Sequence, residues 1–358
     1  ATATQTAGIS NMIKKTGVVV LLLVLGLILS AVLLLPTIDR PQRDGTLELA
    51  ALQAPVQVRR GEDGVPYIFA DSLDDALTAQ GFVVAQDRLF QMELLRHLSQ
   101  GRLAEFIGER GLQNDRVIRL VNISGHAADY LSRISDADRN YLQRYLDGVN
   151  AVVAQPSQHP LMLRVMGHEP QPWTLADALS YQFFAIWSSS VNWKQELLTL
   201  RLIDQLGARR AAELYPLTIN PDDPATALPN FDDDLVGLNL QLDDRLDSPW
   251  QARYAMGSDA WASGNLKSSG GRPILSSDPH LDARNLPGFW YPIGVVTPEL
   301  RFVGGATPAV PGIGVGRNDY IAWGATNGYA DIVDLYIETA DPDKPDHYLQ
   351  GSDSLPFA

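Results

Sequence analysis

Ser258 is the residue of this chain that could act as a nucleophile with the fewest additional catalytic groups. It follows Gly257 and opens the run Ser258–Gly264. Cleavage of the Gly257–Ser258 peptide bond would leave a serine with a free α-amino group beside its own hydroxyl. An α-amine has a pKa near ~7.7–8.0, so a useful fraction is neutral at neutral pH and can take the hydroxyl proton. Gly-Ser pairs are common in loops, and an exposed loop serine is therefore the alternative.

The sequence before Ser258 predicts a hairpin. Val56–Arg60 alternates between apolar and polar residues and predicts a strand, and Val65–Ala70 predicts its partner. The Asp63-Gly64 pair between them is a hairpin turn signal.

Three helical segments should follow the hairpin. Leu73–Gly101 has a helical pattern and Asp71-Ser72 as its N-terminal cap. Asp136–Ala154 is amphipathic, with apolar residues at helical spacing. Leu175–Leu206 is a long, largely apolar helical region.

The pattern changes around Ser258. Residues 220–255 contain repeated acidic runs and no clear periodicity, which fits either an acidic surface loop or a segment removed when the chain is cut. After Ser258 the chain reads as short strands separated by Gly and Pro, as in an antiparallel sheet.

Several blocks resemble the penicillin acylase family of N-terminal-nucleophile hydrolases. On the Ser258 side they are Gly257–Trp261, Pro273–Leu281, Pro311–Asn318, Ala322–Gly328 and Asp331–Tyr336. Upstream they are Asp63–Ile68, Gly81–Met92, Gly101–Glu105 and Pro172–Asp177. The blocks occur in the family's order, which makes the resemblance specific.

The resemblance implies an α+β fold with a four-layer αββα core and a mostly helical α-chain part. It also implies self-cleavage at Gly257–Ser258, which yields an α/β heterodimer. The expected organisation is listed here in chain order: a polar tail (1–16), a signal anchor or signal peptide (17–35), a tether (36–50), the α-chain region (51–219), a spacer (220–257) and the first part of the β chain (258–358).

The resemblance also assigns catalytic residues. Ser258 is the expected nucleophile, and Asn327 holds the position whose backbone N–H contributes to the oxyanion site. The family often has alanine there, and a main-chain donor tolerates that change; a simple turn asparagine is the alternative. His280 is expected to contact the nucleophile or the substrate through its main chain, or else to be a structural histidine. A conventional triad of Ser258, His280 and Asp278 fits poorly, because Asp and His lie two residues apart in a Pro turn.

A structural calcium ion is the one cofactor that the resemblance implies. Asp331, the Val333 carbonyl and Asp334 resemble its ligands, and Glu196 would reach over from the α-chain region. Carboxylate and carbonyl oxygens suit a hard cation that takes six to eight oxygen ligands. A solvated acidic strand edge is the alternative. The ion would join the two processed chains and would take no part in catalysis.

The N-terminus predicts export. Residues 17–35 form an uncharged Leu- and Val-rich run, with Lys14 and Lys15 before it and Pro36 after it. Such a run nearly spans a ~30 Å hydrocarbon layer, and the lysines favour an inside N-terminus. An uncleaved signal anchor, a cleaved signal peptide and a buried core helix are the three interpretations. The first two predict a periplasmic or extracytoplasmic protein, anchored to the inner membrane if the signal is uncleaved. Met12 is a possible true start.

Composition excludes several other classes. The net charge is −14 and Lys and Arg do not cluster, so nucleic-acid binding is not expected. There is no cysteine, which excludes disulfides, thiolate metal sites and a cysteine nucleophile.

The expected activity is hydrolysis of a linear amide in a small N-acyl substrate, of penicillin or β-lactam type. An acyl-homoserine-lactone acylase is the nearest alternative. A non-catalytic, membrane-tethered binding protein and an inactive fragment are the others. The resemblance further leads us to expect that the second oxyanion donor and more calcium ligands lie downstream of Ala358, in which case the chain would be truncated.

Overall fold

The structure, a computed structural model, describes residues 16–30, 41–189, 193–214, 258–281, 287–326 and 338–357. The predicted spacer (220–257), Gly257, Asn327, Asp331, Val333 and Asp334 lie outside these residues. The described part mixes helices and strands, which confirms the α+β prediction.

The helices lie almost entirely before Ser258. They are α1 (16–30), α2 (Leu73–Ser99), α3 (Ala104–Ile107), α4 (Leu112–Val121), α5 (Ile123–Leu131), α6 (Asp136–Val153), α7 (Leu161–Val165), α8 (Leu175–Ser189), α9 (Trp193–Leu206) and α10 (Ala208–Leu214). The predicted helical region 175–206 thus contains two helices. Among the described residues, no helix combines the length and the apolar character that crossing a membrane requires.

The strands of the described residues form three sheets. They are β1 (Gln57–Arg60), β2 (Pro66–Phe69), β3 (Ser258–Ser263), β4 (Ile274–Pro279), β5 (Tyr291–Val296), β6 (Arg301–Ala306), β7 (Val315–Asn318), β8 (Ala322–Trp323), β9 (Thr339–Ala340), β10 (His347–Gln350) and β11 (Asp353–Pro356). The main sheet has the order β1-β2-β5-β6-β7-β8, and β3-β4 and β9-β10-β11 form two small antiparallel sheets.

The predicted hairpin is confirmed. β1 and β2 pair antiparallel, and Gly64 in their connection has a φ of +80°, a conformation that glycine adopts without steric cost. The prediction of an antiparallel sheet holds for the pairs from β5 to β8, but β2 and β5 pair in parallel, with Ile68 opposite Val295. The main sheet therefore includes strands from both sides of the predicted cleavage point.

Helix α2 is the central element of the core. Its N-cap is Ser72, as predicted, whose hydroxyl accepts from the Asp75 N–H at 3.1 Å. Its end is followed by Gly101, in the left-handed conformation (φ +65°) that commonly terminates helices. Residues of α2 pack against α6 on one side and against the inward face of β2 and β5 on the other, so α2 is buried over most of its length.

Two glycines bring α2 and α6 into backbone contact. A Cβ placed on Gly81 would lie 1.9 Å from the carbonyl oxygen of Tyr145, and one on Gly148 would lie 1.9 Å from that of Thr78. Neither site has space for a methyl group, because the opposing atoms belong to backbone. The apolar face predicted for α6 is buried at this contact, with Tyr145, Leu146 and Val149 fully enclosed.

Candidate active site

Ser258 is the first residue of β3, and it pairs with Pro279 at the end of β4. The pairing continues along both strands, so that Ala260 lies opposite Ser277. A strand fixes the direction of the backbone at Ser258, and the hairpin brings His280, the residue after Pro279, close to the same end of the sheet. Two of the three predicted catalytic residues are thus placed by one hairpin.

The segment that follows β8 lies against this hairpin. The Thr326 hydroxyl donates a hydrogen bond to the Ser258 carbonyl oxygen at 2.7 Å. The Ser277 hydroxyl donates to the Ala325 carbonyl oxygen and accepts from the Ala325 N–H, both at 3.3 Å. The structure therefore brings the residues directly before Asn327 to the predicted nucleophile. Neither Thr326 nor Ser277 was predicted from the sequence, because a lone hydroxyl carries no local signal of its distant partner.

His280 faces carboxylates instead of Ser258. Its Nε2 lies 3.4 Å from Asp259 Oδ2 and 3.6 Å from Asp278 Oδ2, and all three side chains are exposed. Among the described residues, no hydrogen bond joins His280 to Ser258. The geometry thus gives no support to a Ser-His-Asp triad.

Of the four predicted calcium ligands, only Glu196 lies within the described residues. It is half-buried in the first turn of α9, and a carboxylate with that exposure can supply an oxygen ligand.

A buried polar cluster between α2 and the 168–173 segment was also missed by the sequence reasoning. Glu93 is fully buried, and its carboxylate accepts from Arg96 Nη2 (2.6 Å), His168 Nε2 (2.8 Å) and Trp173 Nε1 (2.8 Å). Although Glu93, His97 and His168 are close enough together for a metal ion, three donors already bond the carboxylate, and one of them is the positively charged guanidinium of Arg96. We therefore interpret the cluster as a structural network. Burial lowers the pKa of His97.

Side-chain hydrogen bonds also join the regions on either side of the predicted cleavage point. The Tyr291 hydroxyl donates to Asp87 Oδ2 at 2.5 Å, and Arg60 donates to the same oxygen at 2.7 Å. Gln80 exchanges two hydrogen bonds with the backbone of Gly312, at 2.8 and 3.0 Å. Burial, together with the Asp87 carboxylate, raises the pKa of Tyr291 well above its usual range, so its hydroxyl keeps its proton.

Two hollows among the described residues are large enough to hold a small ligand. One of about 210 Å³ lies between residues 42–60 and α2, and one of about 300 Å³ lies against β5, β6 and β7. Neither is lined by Ser258, and so neither is assigned to an acyl group.

The family model for penicillin amidase matches residues 55–358, which is most of the chain and includes every strand described above. This chain belongs to the penicillin amidase family. The match confirms the resemblance seen in the sequence blocks, and it extends through Ser258 and the segment that contacts it.

Named relatives of the family also align with most of this chain. An acyl-homoserine lactone acylase, QuiP, of Pseudomonas aeruginosa is 30% identical over 83% of this chain and 36% of its own length. A penicillin acylase 2 proenzyme of a Pseudomonas species is 31% identical over 83% of this chain and 39% of its own length. Penicillin G acylase of Escherichia coli is 26% identical over 82% of this chain and 41% of its own length. The chain thus spans about two fifths of the length of these relatives.

Proposed function

We propose that this penicillin amidase family protein is an amidohydrolase that cuts its own chain between Gly257 and Ser258 and then uses Ser258 as an N-terminal nucleophile. The observation that carries the proposal is the hydrogen bond from Thr326 to the Ser258 carbonyl. It holds the residue before Asn327, the expected oxyanion donor, against the residue that would attack.

The reaction then follows from groups at Ser258. The free α-amine takes the proton from Oγ, and Oγ attacks the carbonyl carbon of a linear amide. The Asn327 N–H donates to the developing oxyanion. As the C–N bond breaks, the α-ammonium returns the proton to the leaving nitrogen, and the acyl group remains on Ser258 as an ester. Water, deprotonated by the same amine, hydrolyses the ester, releases the carboxylic acid and restores the hydroxyl.

The proposed substrate is a small N-acyl amide. The named relatives include both penicillin acylases and acyl-homoserine lactone acylases, at nearly equal identity. They therefore support cleavage of an amide bond, but they do not indicate which amine is released.

The finer features expected from the sequence stay proposals. They are the four-layer αββα core, the α/β heterodimer, the structural calcium with Glu196, Asp331, Val333 and Asp334, and an extracytoplasmic location reached through the apolar 17–35 run. The hydrogen bonds of Asp87 with Tyr291 and of Gln80 with Gly312 support the heterodimer, because they would hold the two chains together after cleavage.

A substrate panel with matched variants tests the activity. The complete gene product is incubated with phenylacetyl amides, a penicillin, and short- and long-chain acyl-homoserine lactones, and the released primary amine is quantified. We expect turnover by the wild type and by Ser263→Ala, a control in the same strand, and none by Ser258→Ala. Equal turnover by Ser258→Ala would refute the assignment of the nucleophile. A folded wild type that binds these amides without turnover would favour the non-catalytic binding protein.

A further inference from the structure

Two side-chain hydroxyls connect the nucleophile hairpin to the edge of the main sheet. The Thr326 hydroxyl donates to the carbonyl oxygen of Ser258 itself, at 2.7 Å. The Ser277 hydroxyl bonds both the carbonyl and the N–H of Ala325. One of these hydroxyls belongs to the β3-β4 hairpin and the other to the segment that leaves β8, so the connection is made from both sides.

The 324–326 segment approaches the hairpin closely at Gly324. A Cβ on Gly324 would lie 2.6 Å from Ser277 Cβ and 2.8 Å from Ser277 Oγ. Only glycine at 324 lets the segment reach the hairpin at this distance. Gly324 therefore permits the close approach of the two segments, and the two hydroxyls fix which residues of the segments lie opposite each other.

The connection matters because the two sheets share no strand ladder among the described residues. β3 pairs only with β4 there, and β8 ends the main sheet. Regular strand pairing would fix the relative position of two segments through several backbone hydrogen bonds. Here the position of the 324–326 segment relative to Ser258 is fixed mainly by side-chain hydroxyls.

The peptide bond between Thr326 and Asn327 links the position of Thr326 to that of the next residue. The nitrogen of Asn327 is bonded directly to the Thr326 carbonyl carbon, at about 1.33 Å, so any shift of Thr326 moves that N–H with it. An oxyanion donor acts at about 2.7–3.1 Å from the charged oxygen. The distance between nucleophile and donor is thus sensitive to the Thr326 hydroxyl.

We propose that Thr326 and Ser277 are positioning residues of this active site, which hold the Ser258 backbone and the Asn327 N–H in the arrangement that the acyl transfer needs. The inference rests on the proposed function. Thr326 does not touch the reacting atoms in this assignment. It acts through the Ser258 carbonyl, and Ser277 acts through the backbone of Ala325.

The hydroxyl of Thr326 can be removed almost without a change of shape. Thr326→Val keeps the volume and loses the donor, and Thr326→Ser keeps the donor and loses a methyl group. Because a displacement of about 1 Å can cost a hundredfold in rate, we expect Thr326→Val to lower kcat by about 10- to 100-fold. KM should change by less than about threefold, since the loss falls on the transition state. Thr326→Ser should restore most of kcat.

Ser277 offers a matched pair of variants on one strand. Ser277→Ala removes both hydrogen bonds to Ala325, and we expect it to lower kcat for the same reason as Thr326→Val does. Ser276→Ala makes the same change one residue earlier, on the other face of β4, and should leave kcat near the wild-type value. Melting temperatures of all four variants show whether a loss reflects unfolding.

The test measures kcat, KM and the fraction of chain cut at Ser258, in the complete gene product and its variants. Should Thr326→Val stay uncut, the rate of self-cleavage of the folded protein replaces kcat, with the same expectation and the same rescue by Thr326→Ser. Wild-type kcat in both Thr326→Val and Ser277→Ala would overturn the positioning role and leave the proposed function intact. A loss that Thr326→Ser does not restore, or that a lower melting temperature accounts for, would overturn it as well. A wild type that is neither cut nor active would instead refute the proposed function itself.

Discussion

Gly148→Ala should destabilise the protein by separating α2 from α6. The added Cβ would lie 1.9 Å from the Thr78 carbonyl oxygen and 2.6 Å from the Phe82 nitrogen. Both are backbone atoms of α2, so no side chain can rotate away. To reach ordinary van der Waals distance the helices would have to move apart by about 1.5 Å.

The magnitude is a balance of two effects. Overpacking of a well-packed core costs typically about 1–3 kcal/mol, and a clash with backbone belongs at the upper end. Alanine in place of glycine in a helix returns about 1 kcal/mol of helix propensity. We therefore expect the free energy of unfolding to fall by about 2 kcal/mol and the melting temperature to fall by several degrees.

The displacement should also reach the site. Tyr145 lies on α6, and its hydroxyl accepts from the Ala309 N–H at 3.3 Å, in the loop that leads into β7 and β8. Urea and thermal unfolding, followed by tryptophan fluorescence, measure the stability. The fraction of chain cut at Ser258 reports whether the displacement disturbs self-cleavage. Gly264→Ala, at a φ of −67° where the added Cβ meets nothing within 4 Å, is the control and should keep or slightly raise the wild-type stability. Equal or greater stability of Gly148→Ala would refute the close α2–α6 contact.

Three further predictions concern the polar groups. Because burial lowers the pKa of His97 below its ordinary 6.5, the folded state resists protonation of this residue. The free energy of unfolding should therefore fall as the pH decreases below 6.5, by up to about 1.4 kcal/mol per pH unit. His97→Gln should show a shallower pH dependence of stability between pH 7 and pH 5, and an unchanged slope would contradict this. Tyr291→Phe removes a donor to the Asp87 carboxylate and should cost about 1.5–3 kcal/mol in urea unfolding, whereas Tyr130→Phe, at an exposed tyrosine, should cost almost nothing. Calcium chelation should lower the melting temperature of the complete protein, and Glu196→Gln should reduce that response; insensitivity of the wild type to chelation would remove the calcium proposal.

Local signals predicted the elements around the site well. The Asp63-Gly64 turn, the Ser72 cap and the apolar face of α6 depend on residues that are neighbours in sequence, and all three are confirmed. The start of β3 at Ser258 and the strand at 274–279 also agree with the predicted blocks.

Contacts between distant residues could not be predicted in the same way. The parallel pairing of Ile68 with Val295 joins strands more than 200 residues apart, and periodicity within either strand carries no information about its partner. Glu93 was overlooked because one of several charged residues in a helix reads as a solvated position, while two of its three donors, His168 and Trp173, lie far along the chain. Thr326 is the same case, since its partner Ser258 lies 68 residues away.

The central claim is that Ser258 becomes an N-terminus. Intact-mass measurement and N-terminal sequencing of the protein purified from its native source test it most directly. The account predicts a chain that begins at Ser258, with a second chain that ends at or before Gly257. A folded protein of full family length that is uncut between Gly257 and Ser258 would contradict the account and favour a binding protein built on this scaffold.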